Sequence, residues 1–486
     1  MTTLDNRKII TATKWSTIAE IGAKLIGPVS LIILARLLTP EAFGVVTTVT
    51  LVISFVEIFT DGGFQKYIIQ HEFTNQKDQD DSICVAFWSN MSLSFILWGV
   101  ISLFCEPIAK IVGNPGLGYV IAIACISLPL QALSSIQMSI LKRALDFKTL
   151  FKIRLLGIAT PFIVTIPLAL WLRNYWALII GTICLNAFNA IALTYYSNWR
   201  IRVYFSFTKL REMLSFTIWT ILESISIWLT GYIDIFLIGC YLNEFYLGIY
   251  KTSMTTVGQI TSLITAATTP ILFSSLSRMQ SNLSDFKELF FKFQRTVGLF
   301  IIPLGIGIFI FRDLITDILL GSQWKEAANF IGLWALTSAI TIILSHYSSE
   351  VYRALGRPKL SVVAQILHII VLCPAMFIAV HYSFETIYMT RSLVRLELVL
   401  VSLIILRYAA KISIKKMFSN IAHPVLASLI MGIIGYYLLR HNPSSIIWAV
   451  FSCVLCIISY FIIISLFKDD RELLKKVYKK LYIRHD

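Results

Sequence analysis

Fourteen long apolar stretches alternate with short polar breaks along the 486 residues of this chain, and no other feature limits its fold so sharply. About 20 apolar residues is the length at which an α-helix crosses the hydrocarbon of a bilayer. Only segments that satisfy their own backbone hydrogen bonds can stay there. The stretches run over 15–38, 42–60, 83–104, 119–140, 155–172, 175–197, 214–239, 246–274, 296–312, 327–352, 360–382, 385–406, 420–439 and 445–467. If the breaks are taken alternately as inside and outside, the inside set holds 32 of the 42 Lys and Arg residues and the outside set 6, counting with it Arg36 and Arg312 at the outer ends of their stretches. The other four, Lys24, Lys251, Arg391 and Arg395, lie deeper within the stretches. Such a bias orients a polytopic membrane protein and predicts both termini in the cytoplasm. The expected fold class is therefore an all-α integral membrane protein with about 14 transmembrane helices.

A composition of 57 % apolar and 14 % charged residues excludes an ordinary soluble domain. A net charge of +15 would point to nucleic acid in a soluble chain. Here the inside bias accounts for it, and no nucleic-acid partner is expected. The first fourteen residues carry charge without a short apolar core or a small-residue cleavage site, so the first span is expected to remain as an anchor. Most cysteines lie in apolar runs, and Cys453 and Cys456, a C-x-x-C inside the last stretch, read as small apolar filler. No metal or cofactor is expected. The chain has no G-x-x-x-x-G-K-[ST] loop, no H-E-x-x-H and no G-x-S-x-G, and no break is long enough to fold as a catalytic domain. A transporter is expected, with no catalytic residues.

A shift of 204 residues lays 15–46 on 219–250 without a gap, with identities at Trp15/Trp219, Ile21/Ile225, Leu25/Leu229, Gly27/Gly231, Leu38/Leu242 and Gly44/Gly248. Six spans separate the copies, so the two halves point the same way, an arrangement with which transporters enclose a midplane cavity. The expected organisation is an N-lobe at 1–205, a C-lobe at 206–410, two extra helices at 411–467 and a basic amphipathic tail at 468–486. Residues 285–295, with Phe286, Leu289, Phe290 and Phe293 on one helical face, are expected to lie on anionic lipid, as is the tail.

Charges inside a bilayer cost at least roughly 2.5–3.5 kcal/mol each and usually face a cavity or a partner. Glu20 and Lys24 share a helical face, Glu57 and Asp61 repeat that spacing, and Asp234 is expected to meet Lys251. Glu223 lies in the seventh span, and Arg391, Arg395 and Glu397 lie in the twelfth. The cationic set Lys24, Lys251, Arg391 and Arg395 is expected to line a shared pocket. Glu20, Glu223, Asp234 and Asp61 are candidates for ion pairing or coupling. His346 and His368 fall within spans and are open to two readings, proton carrier or structural hydrogen-bonding residue. Proline in the first, fifth, eighth and ninth spans is expected to break or bend them.

The segments ARLLTPEAFG (35–44), DGGFQKYIIQ (61–70), DIFLIGCYLNEFYLGIYK (234–251), LFSSLSRMQ (272–280) and VYRALGRPK (351–359) resemble signatures of the bacterial polysaccharide transporter family. That family includes the Wzx-type flippases of the multidrug/oligosaccharidyl-lipid/polysaccharide (MOP) exporter superfamily. The similarity extends over roughly 10–410. It implies two parallel six-helix lobes around a cavity, plus two C-terminal helices. It also implies undecaprenyl-diphosphate-linked oligosaccharide as cargo, moved between leaflets of the bacterial inner membrane. A polymerase and chain-length regulator of the same pathway are implied partners besides the bilayer. The cationic set would neutralise the diphosphate, and one of Glu20, Glu223 or Asp234 would titrate against an ion gradient. Three rivals stand beside this reading: a MATE-like multidrug antiporter, an integral-membrane glycan-assembly enzyme, and a non-transporting scaffold.

Overall fold

The computed structural model describes residues 26–482 apart from 62, 198, 281, 358 and 442–444, and of some helical residues, Asp61 and Glu223 among them, the backbone alone. Helices and no strands occur among the described residues. The first span is described only as α1, Ile26–Leu37. There follow α2 Pro40–Asp61, α3 Gln76–Leu103, α4 Gly118–Arg143, α5 Phe147–Leu172, α6 Trp176–Tyr196, α7 Phe207–Tyr241 and α8 Glu244–Arg278. Then come α9 Leu283–Ile310, α10 Ala327–Ala354, α11 Lys359–Ala379, α12 Phe384–Ala409, α13 Ala422–His441, α14 Ile446–Leu466 and the tail helix α15 Lys468–Tyr482.

Among the described residues, twelve helices are long and apolar enough to cross a membrane. The expected spans 15–38 and 385–406 are outside that number for separate reasons. Most of the first precedes Ile26. The second, α12, is 26 residues long but carries Arg391, Arg395 and Glu397 in its middle.

Contacts divide the chain into one compact unit ending at Lys251 and another beginning at Thr252, within α8. In the first unit, Phe64, Tyr67, Ile68, Cys84, Phe87, Ile136, Trp199 and Met213 form a buried cluster. The long α7 packs along α2 and α3. Lys209 pairs with Asp78 and lies 3.2 Å from Ser82 Oγ, and farther along α7 Trp228 Nε1 donates to Ser54 Oγ at 3.0 Å. At the opposite, lysine-poor end the first turns of α2 and α8 meet backbone to backbone. A Cβ on Gly44 would lie 1.8 Å from the carbonyl oxygen of Glu244, and one on Gly248 would lie 1.9 Å from that of Pro40. These four residues are mates under the 204-residue shift, so the contact is reciprocal. Only glycine permits so close an approach.

In the second unit, the stretch 285–295 does not lie flat on a surface as expected. It forms the first turns of α9, with Phe286 and Phe290 buried among Leu272, Leu276, Val351 and Tyr352. Its aromatic face found a protein partner, which offers those rings more contact than a headgroup layer. Pro270 and Pro303 sit inside continuous helices, whereas Pro161 opens a single π-turn, Pro161–Thr165, within α5. The eight cysteines form no disulfide with one another. Cys456 is buried where α14 crosses α13, and a Cβ on Gly435 would lie 3.0 Å from its sulfur. The tail helix is tied down at its start. Asp470, fully buried, accepts from Arg295 Nε at 2.6 Å and faces His423 Nδ1 at 2.9 Å, while Leu473 and Leu474 pack against the cluster of Leu299, Phe311 and Tyr460.

Candidate functional site: intramembrane charge clusters

In the first unit, α7 and α8 place Tyr232, Asp234, Tyr250 and Lys251 roughly 10 Å in from the lysine-poor helix ends, at 1.5 Å per residue. Asp234 is fully buried. Its Oδ2 accepts from Tyr250 Oη at 2.7 Å and its Oδ1 from the Ile235 backbone N–H at 2.8 Å. Lys251 belongs to the same cluster. Its Nζ stands 5.1 Å from the ring centre of Tyr232, which itself stacks on Trp228 at 5.5 Å. The Asp234 charge acts on Lys251, as the expected pairing requires, and Tyr250 donates to the same carboxylate.

In the second unit, three consecutive helices converge. Arg391 and Arg395 are one turn apart on α12, and Trp334 and Ser338 are one turn apart on α10. The Arg395 guanidinium carbon lies 3.9 Å from the Trp334 ring centre, and that of Arg391 lies 5.7 Å from it. Arg395 Nη1 donates to Ser338 Oγ at 2.8 Å. Guanidinium is planar and weakly hydrated, so an indole face supports it in a low-dielectric setting where an ammonium would suffer more. Phe330 continues the aromatic wall by stacking on Tyr388 at 5.4 Å. Two residues past Arg395, Glu397 of α12 places its Oε2 3.1 Å from His368 Nδ1 of α11. His368 is the tenth of the 21 residues of α11, and Glu397 the fourteenth of the 26 of α12, so both lie near helix midpoints. His346 has another setting, with Nε2 3.4 Å from Thr269 Oγ1.

Of the eight residues singled out in the sequence, Lys251 and Asp234 thus meet in one cluster, and Arg391 and Arg395 in another. Glu20 and Lys24, and the side chains of Asp61 and Glu223, lie outside the described residues. Trp334 and Ser338 were missed because neither is conspicuous in an apolar run. The signal that would have found them is a second pair at the four-residue spacing of the two arginines. An apolar cleft of about 270 Å³ lies between α9 and α14, lined by Phe300, Pro303, Gly307, Cys453, Ile457 and Phe461 among others. Among the described residues no group of three His, Cys, Asp or Glu side chains is placed to hold a metal ion.

The family described as "Polysaccharide biosynthesis protein" matches residues 33–329, more than half of the chain. The succinoglycan biosynthesis transport protein ExoT of Rhizobium meliloti (strain 1021) is 21 % identical over 341 residues, covering 70 % of this chain and 68 % of ExoT. Two solved structures share the fold. The lipid II flippase MurJ, in an inward closed conformation, superposes with a TM-score of 0.75 at 16 % identity, over 94 % of this chain and 99 % of that one. An inward-facing multidrug resistance MATE family transporter of the MOP superfamily gives 0.59 at 12 % identity, over 81 % and 98 %. With a family match of that extent, carried on a membrane-spanning helical fold, the chain belongs to the polysaccharide biosynthesis protein family.

Proposed function

We propose that this protein is a flippase that carries undecaprenyl-diphosphate-linked oligosaccharide from the cytoplasmic to the periplasmic leaflet of the bacterial inner membrane, with both termini cytoplasmic. The observation that carries the reading is the pair of guanidiniums on Trp334, well inside a membrane helix bundle. Two fixed positive charges on an aromatic face suit a diphosphate that must leave water, because charge-assisted contacts replace its hydration. Lys251 on its aromatic stack would add a third cation, and Lys24 belongs to the same proposal. The glycan would travel through an aqueous passage enclosed by two like-oriented lobes, 1–205 and 206–410. The prenyl tail would stay in apolar surroundings such as the cleft between α9 and α14. Motion would follow alternating access, drawing on an ion gradient through carboxylates such as Asp234, Glu20, Glu223 or Asp61. A polymerase and chain-length regulator would receive the product. Membership of a polysaccharide biosynthesis family favours this reading over drug export, and a relative named as a biosynthesis transport protein favours it over an enzyme.

Deleting the gene and restoring it as wild type, Arg391→Ala or Arg395→Ala tests the proposal. The deletion should abolish the surface polysaccharide and accumulate lipid-linked repeat units, and each arginine variant should lower output at least tenfold at equal protein level. Normal polysaccharide with altered drug susceptibility would establish the antiporter reading instead.

A further inference from the structure

The pair beside the arginines has a chemistry of its own. His368 is 3 % exposed, and its Nδ1 lies 3.1 Å from the Glu397 carboxylate, on the neighbouring helix near the middle of both. The charges of Arg391 and Arg395 both act on His368. We propose that His368 and Glu397 form a proton-binding pair whose occupancy sets the charge of the arginine cluster and so couples proton uptake to the binding of an anionic headgroup. The inference rests on the reading of that cluster as the diphosphate site.

With neutral imidazole and ionised carboxylate, the set of Arg391, Arg395, Glu397 and His368 carries +1. One proton taken from water onto the pair raises it to +2, and no other bond changes. A dianionic diphosphate gains most from the +2 state, and by reciprocity its arrival draws the proton on. Ionisable His and Glu chains are the usual proton sites of membrane transporters, because a lone buried charge costs too much to keep without such a task.

The surroundings limit which groups can answer for a pH effect. From α12 Glu397 meets His368, and the charges of Arg391 and Arg395 act on it. Over the turns that carry Trp334 and Ser338, α10 has no ionisable side chain. Glu350 and Arg353, at the far end of α10, pair with each other. On α11 itself the other ionisable residues are Lys359, at its first position, and Cys373, more than a turn away.

A purely structural pair would tie α11 to α12 without exchanging protons with the ligand, so the decisive readout is a proton count. The full chain in lipid nanodiscs is titrated calorimetrically with geranyl-diphosphate-N-acetylglucosamine in buffers of different protonation enthalpy. The two phosphates of this diester hold constant charge between pH 6 and 8. Wild type should take up close to one proton per probe bound, with affinity falling by up to about tenfold per pH unit as pH rises. H368Q and E397Q should bind with no proton uptake and a flat pH dependence. Binding of the probe to wild type without proton uptake overturns the pair while leaving the arginine site intact, and so does wild-type uptake in both variants. No binding to wild type at any pH overturns the arginine site itself, and the coupling with it. The wild-type count decides the matter even if a variant fails to fold.

Discussion

Asp234 has lost all contact with solvent, and a carboxylate in that position is tolerable only while its oxygens are engaged. Tyr250 Oη, at 2.7 Å, and the Ile235 N–H, at 2.8 Å, supply that engagement from two different helices. Removing the phenol hydroxyl leaves one oxygen poorer in donors, whereas converting the carboxylate to an amide removes the charge that needed them. Tyr250→Phe should therefore destabilise by about 1–3 kcal/mol. In the Asp234→Asn background the same substitution should cost clearly less. Thermal unfolding in detergent of the four proteins of this double-mutant cycle measures the coupling. Equal costs in both backgrounds would mean that the hydroxyl stabilises something other than the carboxylate. At this scale the sequence was a partial guide. It marked Asp234 and Lys251 as near neighbours because both are charges in apolar runs. It could not mark Tyr250, since a tyrosine in a membrane helix needs no special explanation until a buried acid is found beside it.

Several helices were legible to within about two residues at each end, because a membrane span is written as one long block of apolar side chains with charged ends. Expected spans 42–60, 175–197, 327–352 and 445–467 correspond to Pro40–Asp61, Trp176–Tyr196, Ala327–Ala354 and Ile446–Leu466. The polar extensions were not legible. α3 begins at Gln76 and α9 at Leu283, each several residues before its apolar run, because capping and packing prolong a helix after hydrophobicity stops. Asn75 caps α3 through the Asp78 N–H at 2.8 Å. What the sequence hinted at most faintly was the meeting of the two repeats. Gly44 and Gly248 are identical mates, and the structure gives the reason: each must let the other copy's carbonyl approach. A methyl at either position must displace backbone rather than a flexible side-chain end. Gly44→Ala and Gly248→Ala should each destabilise by about 1–3 kcal/mol, the range of overpacking in a tight interface. Gly307→Ala, in the interior of α9 with nothing within 4 Å of the added carbon, should be neutral or stabilise by up to about 1 kcal/mol. Unfolding midpoints of the three variants check the contrast. Three similar shifts would show that the reciprocal contact contributes nothing beyond helix propensity.

For the whole molecule the number of spans turns on the first stretch, described as Ile26–Leu37, and on α12. Its 26 residues would reach roughly 39 Å at 1.5 Å per residue, ample for a bilayer. Against crossing stands the cost of two arginines and a glutamate near the hydrocarbon centre, at least roughly 2.5–3.5 kcal/mol for each exposed charge. None of the three faces lipid as an isolated charge, however. Arg395 and Arg391 lie over Trp334, Arg395 bonds Ser338, and Glu397 meets His368. Contacts to neighbours on both sides thus offset a penalty that apolarity alone counts in full, and α12 should cross. If it does, the exposed Tyr382 before it and the exposed Lys415 after it lie on opposite faces of the membrane. In a cysteine-free background, Tyr382→Cys should react with a membrane-impermeant thiol reagent added to intact spheroplasts. Lys415→Cys should react only after the membrane is opened, since it lies in a lysine-rich break that the charge bias assigns to the cytoplasm. Labelling of both from the same side would show that α12 turns back within the bilayer, and would put the arginine cluster at a surface rather than along a path through the membrane.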